Sequence, residues 1–238
     1  MKETRRTQEQ LFQTAKLAAV GEMAASLAHA LNNPLMGILG HADLLQRTLP
    51  ADARSTKHTD TILSEANRAG KIVRDVLDFA RRREPNREPV SIDLLVDRAL
   101  ALLEGRVHRA GVEVARVFDE GLPLLSGDRD QLTQVLINLI GNAVDAMSEG
   151  GRLTIETGVH GSNGHRYAGV DVLDTGVGIP AERLLTIFEP FYTTKPEGKG
   201  TGLGLPISRR IVEAHGSLLE VESSPGKGTV MRVRLPLS

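Results

Sequence analysis

The chain has 238 residues, a formal net charge of −1 at pH 7 and no cysteine. The balanced charge gives no overall field that would attract nucleic acid or an anionic membrane, and the lack of thiols excludes disulfides, cysteine nucleophiles and thiolate metal sites. No apolar run approaches the roughly 20 residues of a membrane span. We therefore expect a cytoplasmic protein of one or two domains.

The first predicted element is a long helix over residues 5–48. Residues 1–15 are mostly polar and are typical of the end of a helix that enters from an upstream segment. A seam of apolar residues follows at steps of three and four: Leu17, Val20, Ala24, Leu27, Leu31, Ile38 and Leu45. At about 100° per residue, His29 lies on the opposite side of the helix from this seam. Pro34 predicts a kink shortly after it.

A second helix is predicted from about residue 55 to 83, after a break at residues 49–52. Its apolar positions are Ile62, Ala66, Ala69, Ile72, Val73, Val76 and Phe79. The short connection predicts an antiparallel hairpin over residues 16–84. One hairpin cannot bury two apolar faces, so we expect a homodimer in which two hairpins form a four-helix bundle. Residues 85–89 are charged and contain two prolines, which predicts a linker.

The remaining residues, 90–238, mix helical and strand patterns and are predicted to form a second domain. Helices are predicted over 92–104, 129–147 and 206–215, and strands over 112–117, 153–157, 167–173, 218–222 and 230–235. Asp128 is the predicted N-cap of the middle helix, with Gln131 three residues later. This mixture predicts an α/β sandwich with helices on one face of a sheet.

Three polar residues form a stripe on the otherwise apolar helix 129–147. Asn138, Asn142 and Asp145 are spaced by four and three residues, so they share one face. Such a stripe is either a solvated surface or a row of oxygen ligands for a hard cation such as Mg²⁺.

Two glycine-rich stretches follow. Residues 174–178 (Asp-Thr-Gly-Val-Gly) come directly after a strand, and here a plain turn and a loop that approaches a flat ligand are both possible. Residues 198–204 place four glycines at alternate positions before a helix, which is an amide-lined cradle suited to phosphate. The stretch lacks the spacing of a Walker A loop. We interpret residues 191–204 as a mobile lid in which Lys195 contacts phosphate, and residues 226–229 as a tight hairpin.

The order of these motifs resembles sensor histidine kinases of two-component systems. The asparagine stripe, Asp-x-Gly-x-Gly, Phe-x-Pro-Phe, Gly-x-Gly-x-Gly and Gly-x-Gly-Thr motifs are similar to the N, G1, F, G2 and G3 boxes of that family. The segment around His29 resembles its phosphoacceptor H box. The resemblance extends over about residues 15–235. It implies that residues 1–15 end a signalling helix, that residues 16–84 are a dimerisation and histidine phosphotransfer domain, and that residues 90–238 are a Bergerat-type ATPase domain.

The resemblance also implies a role for each matching residue. His29 would accept the γ-phosphoryl group of ATP and pass it to an aspartate of a response regulator, while Asn33 would orient water for dephosphorylation. Asn142 would hold Mg²⁺. The implied nucleotide contacts are Asn138, Asn142, Asp174, Gly176, Gly178, Lys195, Gly200, Gly202, Leu203, Gly204 and Thr229. Asp174 would bind the adenine amine, and the later glycines with Leu203 would bind phosphate through their amides.

One position departs from the family pattern. The family normally has Glu or Asp directly after the phosphoacceptor histidine, where this chain has Ala30. The acid orients the imidazole or takes its proton, so Ala30 predicts weakened self-phosphorylation with nucleotide binding intact. Ala30 is either natural or an introduced substitution that traps one state.

Two other functions stay open. The chain could be an ATP-binding signalling module that binds or dephosphorylates the regulator without efficient kinase activity. It could also be a conformational ATPase, like the gyrase, mismatch-repair and chaperone members of the superfamily, that uses ATP to clamp a dimer. The stimulus, the cognate regulator and the direction of phosphorylation between subunits are not encoded in recognisable motifs.

Overall fold

The computed structural model describes residues 31, 35–48, 53–80, 84–162, 165–195 and 200–237. The chain divides into two compact units, Met1–Arg83 and Glu84–Ser238. His29, Ala30, Asn33 and the predicted kink at Pro34 lie outside the described residues. No helix in the described ranges is long and apolar enough to cross a membrane.

The first unit contains two helices, which agrees with the predicted hairpin. The described residues 35–48 are helical (α1), and α2 spans Ala53–Ala80. The Gln46 amide donates a 2.7 Å hydrogen bond to the Asp60 carboxylate, which joins the end of α1 to the start of α2. Ala66 and Val73 of α2 are buried. Other apolar residues of this unit stay exposed in the single chain, namely Leu31, Met36, Ile38, Leu44, Leu45, Ile62 and Ile72.

The second unit is built on a five-stranded sheet. Its strands are β2 (Val112–Val117), β4 (Gly151–Ser162), β5 (His165–Asp174), β7 (Thr229–Pro236) and β6 (Leu218–Ser223), in that spatial order. The β2–β4 pair is parallel and the other pairs are antiparallel. Two short strands, β1 (Glu88–Val90) and β3 (Leu125–Gly127), pair separately. Residues 88 and 89 were predicted to lie in a linker, but they belong to β1. A three-residue strand that contains a proline shows no alternation from which it could be predicted.

Three helices cover one face of the five-stranded sheet. They are α3 (Ile92–Ala110), α4 (Arg129–Ala146) and α5 (Gly204–Ala214). Alternate strand residues such as Ile155, Val172 and Val233 are buried with the apolar faces of these helices. The alternation is the one expected for a sheet with one buried face, and it confirms the predicted α/β sandwich. Two 3₁₀ turns, Ala181–Arg183 and Thr186–Phe188, follow β5.

The predicted start of α4 is confirmed in its atomic detail. The carboxylate of Asp128 accepts hydrogen bonds from the backbone N–H groups of Asp130 and Gln131, at 3.1 and 3.0 Å. This satisfies two of the donors that a helix N-terminus leaves without intrahelical partners. The helix starts at a fixed point as a result, and the polar stripe that it carries is fixed with it.

Candidate functional site

Asp174 ends strand β5 beside two backbone amides. Its Oδ1 accepts hydrogen bonds from the N–H groups of Gly176 at 2.9 Å and Thr229 at 3.2 Å. Burial raises the pKa of Asp174 above its ordinary value, and these two hydrogen bonds only partly offset that effect. Both of these bonds end on Oδ1. Oδ2 is therefore the oxygen that Asp174 can present to a ligand amine.

The glycines around Asp174 let three backbone segments close against one another. A Cβ at Gly176 would lie 2.5 Å from the carbonyl oxygen of Ala146, at the end of α4. A Cβ at Gly178, where φ is +69°, would lie 2.0 Å from the carbonyl oxygen of Ser224. Gly228, at φ +81°, would place a Cβ 1.9 Å from the carbonyl oxygen of Asp174 itself. Since side chains do not fit at these positions, the loop, α4 and the β6–β7 hairpin form one tightly packed corner.

Ser223 is a residue of this corner that the sequence analysis missed. Its hydroxyl donates to the carbonyl of Gly228 at 2.7 Å and accepts from the N–H of Ile179 at 2.8 Å. It also lies 2.9 Å from the Thr229 hydroxyl. A serine at the end of a strand before a glycine turn gives a weak signal for such a role, because the partners lie on another loop.

Helix α5 begins next to the second glycine-rich stretch. Leu203 is the N-cap residue of α5, and its side chain makes no capping hydrogen bond to the first amides of the helix. Its own N–H donates a long 3.3 Å bond to the Thr201 hydroxyl. Helix N-termini carry partial positive charge and attract anions. The 11-residue helix and the glycines before it therefore offer amides to a negatively charged ligand.

A strained residue borders this glycine stretch. Phe191 has φ +68° and is the one described non-glycine residue in the left-handed region. The residue is 61% exposed. Its N–H donates to the carbonyl of Gly202 at 3.0 Å. A Cβ at Gly202 would lie 2.4 Å from the Phe191 carbonyl carbon, and a Cβ at Gly200 would lie 2.4 Å from the Thr193 hydroxyl. The glycines let the two arms of the loop approach closely.

The predicted polar stripe of α4 splits into two parts. Asn138 Nδ2 donates to the carbonyl of Gly204 and to the hydroxyl of Ser208, both at 3.2 Å. Its Oδ1 accepts from the Gln134 amide at 3.2 Å. Asn138 therefore positions the first turn of α5, and a direct contact with phosphate stays a prediction.

The other end of α5 is fixed by a buried histidine that the sequence analysis did not single out. His215 Nε2 accepts the N–H of Asp128 at 2.9 Å, and Nδ1 lies 2.8 Å from the carbonyl oxygen of Ile211. This pattern fits a neutral ring with its proton on Nδ1. The ring ties the end of α5 to the start of α4. Both ends of α5 are thus attached to α4.

Asn142 and Asp145 face Lys195. The ammonium nitrogen Nζ of Lys195 lies 3.0 Å from Asn142 Oδ1 and 2.5 Å from Asp145 Oδ2. Arg106 of α3 pairs with the other oxygen of Asp145. Burial opposes ionisation of Asp145, but the hydrogen bonds and charges of Lys195 and Arg106 hold its pKa below the ordinary value. Asn142 thus has an oxygen in contact with a cation.

The donors around Asn142 fit a metal that brings its own ligands. Within the described residues, no group of three or more His, Cys, Asp or Glu side chains could hold a metal ion. Mg²⁺ often keeps several waters and uses one or two protein oxygens together with substrate phosphates. Asn142 Oδ1 suits that role, whereas a cage of protein ligands is absent from the described part of the chain.

Family models match both units of the chain. Residues 19–85 match the His Kinase A (phospho-acceptor) domain. Residues 127–238 match the histidine kinase-, DNA gyrase B-, and HSP90-like ATPase family.

Individual relatives give the same result. The chain is 34% identical over 232 residues to the signal transduction histidine-protein kinase AtoS of Escherichia coli, covering 98% of this chain and 37% of AtoS. Full-length ShkA in complex with AMPPNP superposes with a TM-score of 0.77 at 31% identity, over 90% of this chain and 45% of ShkA.

Two structures of the histidine kinase ThkA complete the comparison. Its catalytic domain aligns at 30% identity and a TM-score of 0.56, over 63% of this chain and 95% of that domain. ThkA in complex with the response regulator protein TrrA aligns at 27% identity and a TM-score of 0.66, over 100% of this chain and 68% of ThkA.

Residues 127–238, within the Glu84–Ser238 unit, thus belong to the histidine kinase-, DNA gyrase B-, and HSP90-like ATPase family. With the phospho-acceptor domain before it, the chain belongs to the histidine kinase family. It spans between 26% and 48% of the length of the first curated relatives that it matches.

Proposed function

We propose that this chain is an ATP-dependent protein-histidine kinase core. It binds Mg-ATP in the Glu84–Ser238 unit and phosphorylates His29 of the hairpin unit. The observation that carries the proposal is the arrangement around α4. Asp174 is packed at the end of this helix, while Asn142, Lys195 and the glycine stretch before α5 lie along it.

ATP would bind with its base and its phosphates at different parts of this arrangement. Asp174 Oδ2 would accept a hydrogen bond from the adenine amine, beside Thr229 and the backbone of Gly176 and Gly178. The amides of Gly200, Gly202, Leu203 and Gly204 would bind phosphate oxygens at the N-terminus of α5. Lys195 and Asn138 would contact the same phosphates.

Mg²⁺ would be held by Asn142 Oδ1, with phosphate oxygens and water as its other ligands, and would neutralise phosphate charge. Phosphoryl transfer needs little beyond positioning and charge neutralisation. A ring nitrogen of His29 would form the new N–P bond while the bond between the γ-phosphorus and the ADP oxygen breaks. The proton on the imidazole would then leave to a base.

Ala30 removes the acid that would orient His29 or accept its proton. General-base loss costs about 10²- to 10⁴-fold in rate. We therefore expect Ala30→Glu to raise the rate of phosphohistidine formation from Mg-ATP by about 10²-fold or more. Ala28→Glu, on the other side of His29, is the matched control and should leave the rate nearly unchanged. Equal rates for the wild type and Ala30→Glu would contradict the assigned role.

The phosphorylated chain would pass its phosphoryl group to an aspartate of a response regulator. Support comes from ThkA, whose structure contains a response regulator protein. Incubating the phosphorylated chain with a receiver domain should move the label to the receiver within minutes. Asn33 would orient water for the opposing activity, which is hydrolysis of the phosphoryl group on the regulator. Label that stays on the chain with every receiver tested would exclude phosphotransfer.

The hairpin unit would work as a homodimer. The predicted seam residues Ile38 and Leu45 are exposed in the single chain, as are Ile62 and Ile72 of α2. A second copy of the hairpin would bury them in a four-helix bundle. Sedimentation equilibrium should give twice the chain mass, and Ile38→Asp should give monomers. A monomeric wild type at micromolar concentration would contradict the bundle.

Two alternatives lead to different products. A module that acts on the regulator without efficient kinase activity would change the lifetime of a phosphorylated receiver but form almost no phosphohistidine. A conformational ATPase would release inorganic phosphate and never label the chain.

A further inference from the structure

The lysine that would bind phosphate in the proposed kinase is in contact with two acceptors on α4. Lys195 Nζ contacts Asn142 Oδ1 at 3.0 Å and Asp145 Oδ2 at 2.5 Å. Both acceptors are on α4 and are three residues apart, so one ammonium group reaches both. The ammonium therefore lies on the oxygen that would serve Mg²⁺ in the proposed kinase.

Asp145 is itself fixed by a second cation. Arg106 of α3 pairs with Asp145 Oδ1 and leaves Oδ2 to Lys195. The Asp145 side chain is 30% exposed, and the lysine is similarly shielded at 31%. Charge-assisted hydrogen bonds at partly shielded sites are stronger than exposed surface pairs. The carboxylate is thus held between two cations from different parts of the fold.

A glycine in the middle of α4 makes room for Arg106. Gly141 is buried inside the helix, where glycine is unfavourable by about 1 kcal/mol relative to alanine. A Cβ at this position would lie 2.9 Å from Nη1 of Arg106. The guanidinium group therefore passes over α4 at Gly141 on its way to Asp145. This contact gives the glycine a physical reason.

We propose that Asp145, fixed by Arg106, is a positioning residue that holds Lys195 on Asn142 until Mg-ATP arrives. The inference rests on the proposed function for the identity of the incoming ligand. Lys195 would yield Asn142 Oδ1 to Mg²⁺ and would move toward the phosphates. ATP without metal must instead remove Lys195 from Asp145 unaided. The contact of Lys195 with Asp145, which we call the latch, therefore favours the metal complex of ATP over the free nucleotide.

The first test measures the accessibility of Lys195 with no nucleotide present. A short pulse of an amine-acetylating reagent, read by mass spectrometry, should label Lys195 slowly in the wild type. Asp145→Asn removes the charge and keeps the shape, and it should raise the Lys195 rate about three- to tenfold. The exposed Lys227 serves as an internal reference, and Glu149→Gln is the matched control for loss of an acid next to α4. Equal Lys195 rates in the wild type and Asp145→Asn would overturn the proposal.

A second variant tests the part assigned to Arg106 without touching either partner of the lysine. Gly141→Ala should displace the guanidinium group, raise Lys195 labelling and leave the free energy of unfolding equal or higher, because alanine favours the helix. A purely structural role for Arg106 predicts a lower unfolding free energy and unchanged labelling, which would refute its positioning role.

The third test uses binding of ATP in EDTA, followed by fluorescence of a labelled analogue. Asp145→Asn should bind metal-free ATP about three- to tenfold more tightly than the wild type, with a smaller change in the presence of Mg²⁺. Equal or weaker metal-free binding by Asp145→Asn would contradict the latch. If no variant binds nucleotide, the proposed function fails, while the labelling experiment still decides whether Asp145 holds Lys195.

Discussion

The two halves of the candidate nucleotide site are built in opposite ways. Around Asp174, backbone segments pack so closely that a Cβ at Gly178 or Gly228 would lie 2.0 Å or less from a carbonyl oxygen. Around Lys195, the contacts are ion pairs made by side chains, and Phe191 holds a left-handed backbone conformation. Packed backbone cannot rearrange cheaply, whereas ion pairs can exchange partners. The surroundings of Asp174 are therefore fixed by backbone packing, whereas the contacts of Lys195 can be exchanged.

This difference suits a kinase. Recognition of the base benefits from a rigid acceptor, since little ordering is needed when the ligand binds. In the proposed kinase, release of ADP and access of His29 to the γ-phosphate would need parts that move. The following substitutions test the contrast, in order of decreasing effect.

The largest effect is expected at Gly228. Gly228→Ala would place a Cβ 1.9 Å from the Asp174 carbonyl oxygen at φ +81°, so the corner must open. We expect a loss of about 3 kcal/mol or more in unfolding free energy, measured by urea denaturation of Glu84–Ser238 within the full chain. Gly226→Ala has φ +74° and no atom within 4 Å of its Cβ, so it should lose only about 1 kcal/mol. Equal losses would show that the corner is not tightly packed.

The next effect concerns binding at Asp174. Asp174→Asn keeps an Oδ1 that can accept from Gly176 and Thr229, but it replaces the Oδ2 acceptor with an NH₂ donor. Two donors would then face each other, so ATP affinity should fall about 10- to 100-fold. Inosine triphosphate carries a carbonyl oxygen in place of the amine. The NH₂ group of Asp174→Asn can donate to that oxygen, so the variant should bind inosine triphosphate more tightly than the wild type does. An unchanged ATP affinity would remove Asp174 from the base site.

A smaller effect is expected on the phosphate side. Phe191→Gly relieves the left-handed strain, which is worth about 1 kcal/mol, and it removes the side chain of a residue that is 61% exposed. The unfolding free energy should therefore stay level or rise by up to about 1 kcal/mol. A large destabilisation in the same urea experiment would mean that this side is as firmly packed as the base side.

The smallest effect is the pH dependence at Asp174. Burial raises the pKa of Asp174 in the folded chain, so its ionisation opposes folding. This loss of stability is absent below the ordinary carboxyl pKa and grows as pH rises from that pKa to the folded-state pKa. Asp174→Asn should therefore gain stability over the wild type at pH 7, and the gain should vanish toward pH 3. A gain that increases as pH falls would contradict the raised pKa.

Much of the fold could be predicted because its elements carry local signals. The N-cap at Asp128 and the apolar face of α4 are encoded within a few residues of each other. The pairing of β1 with β3 was not predictable, because each has three residues and the partners are far apart in the chain. The polar stripe was predicted as one surface, but Asn138 bonds to α5 and Asn142 contacts Lys195. The two asparagines differ because a different segment of the chain packs against each turn of α4, and the sequence of α4 does not show which.

The sequence shows the motifs of the candidate site but not the contacts that join them. The glycine motifs are visible in the sequence. The sequence does not show that a Cβ at Gly176, Gly178, Gly202 or Gly228 would meet protein backbone rather than open space for a ligand. Arg106 gave no signal, since an arginine late in an amphipathic helix is usually solvated. His215 and Ser223 were missed for a similar reason. Their partners, Asp128 and Ile179, lie on elements that only the fold brings near.

The central claim is that this ATP site supplies a phosphoryl group to His29. The direct measurement is incubation of the chain with Mg-ATP labelled in the γ-phosphate, followed by mapping of the labelled residue. A slowly formed, acid-labile and base-stable label is expected on His29, absent in His29→Gln and nearly absent in Asn142→Ala. ATP that is bound and hydrolysed with no label on His29, even in Ala30→Glu, would contradict the central claim.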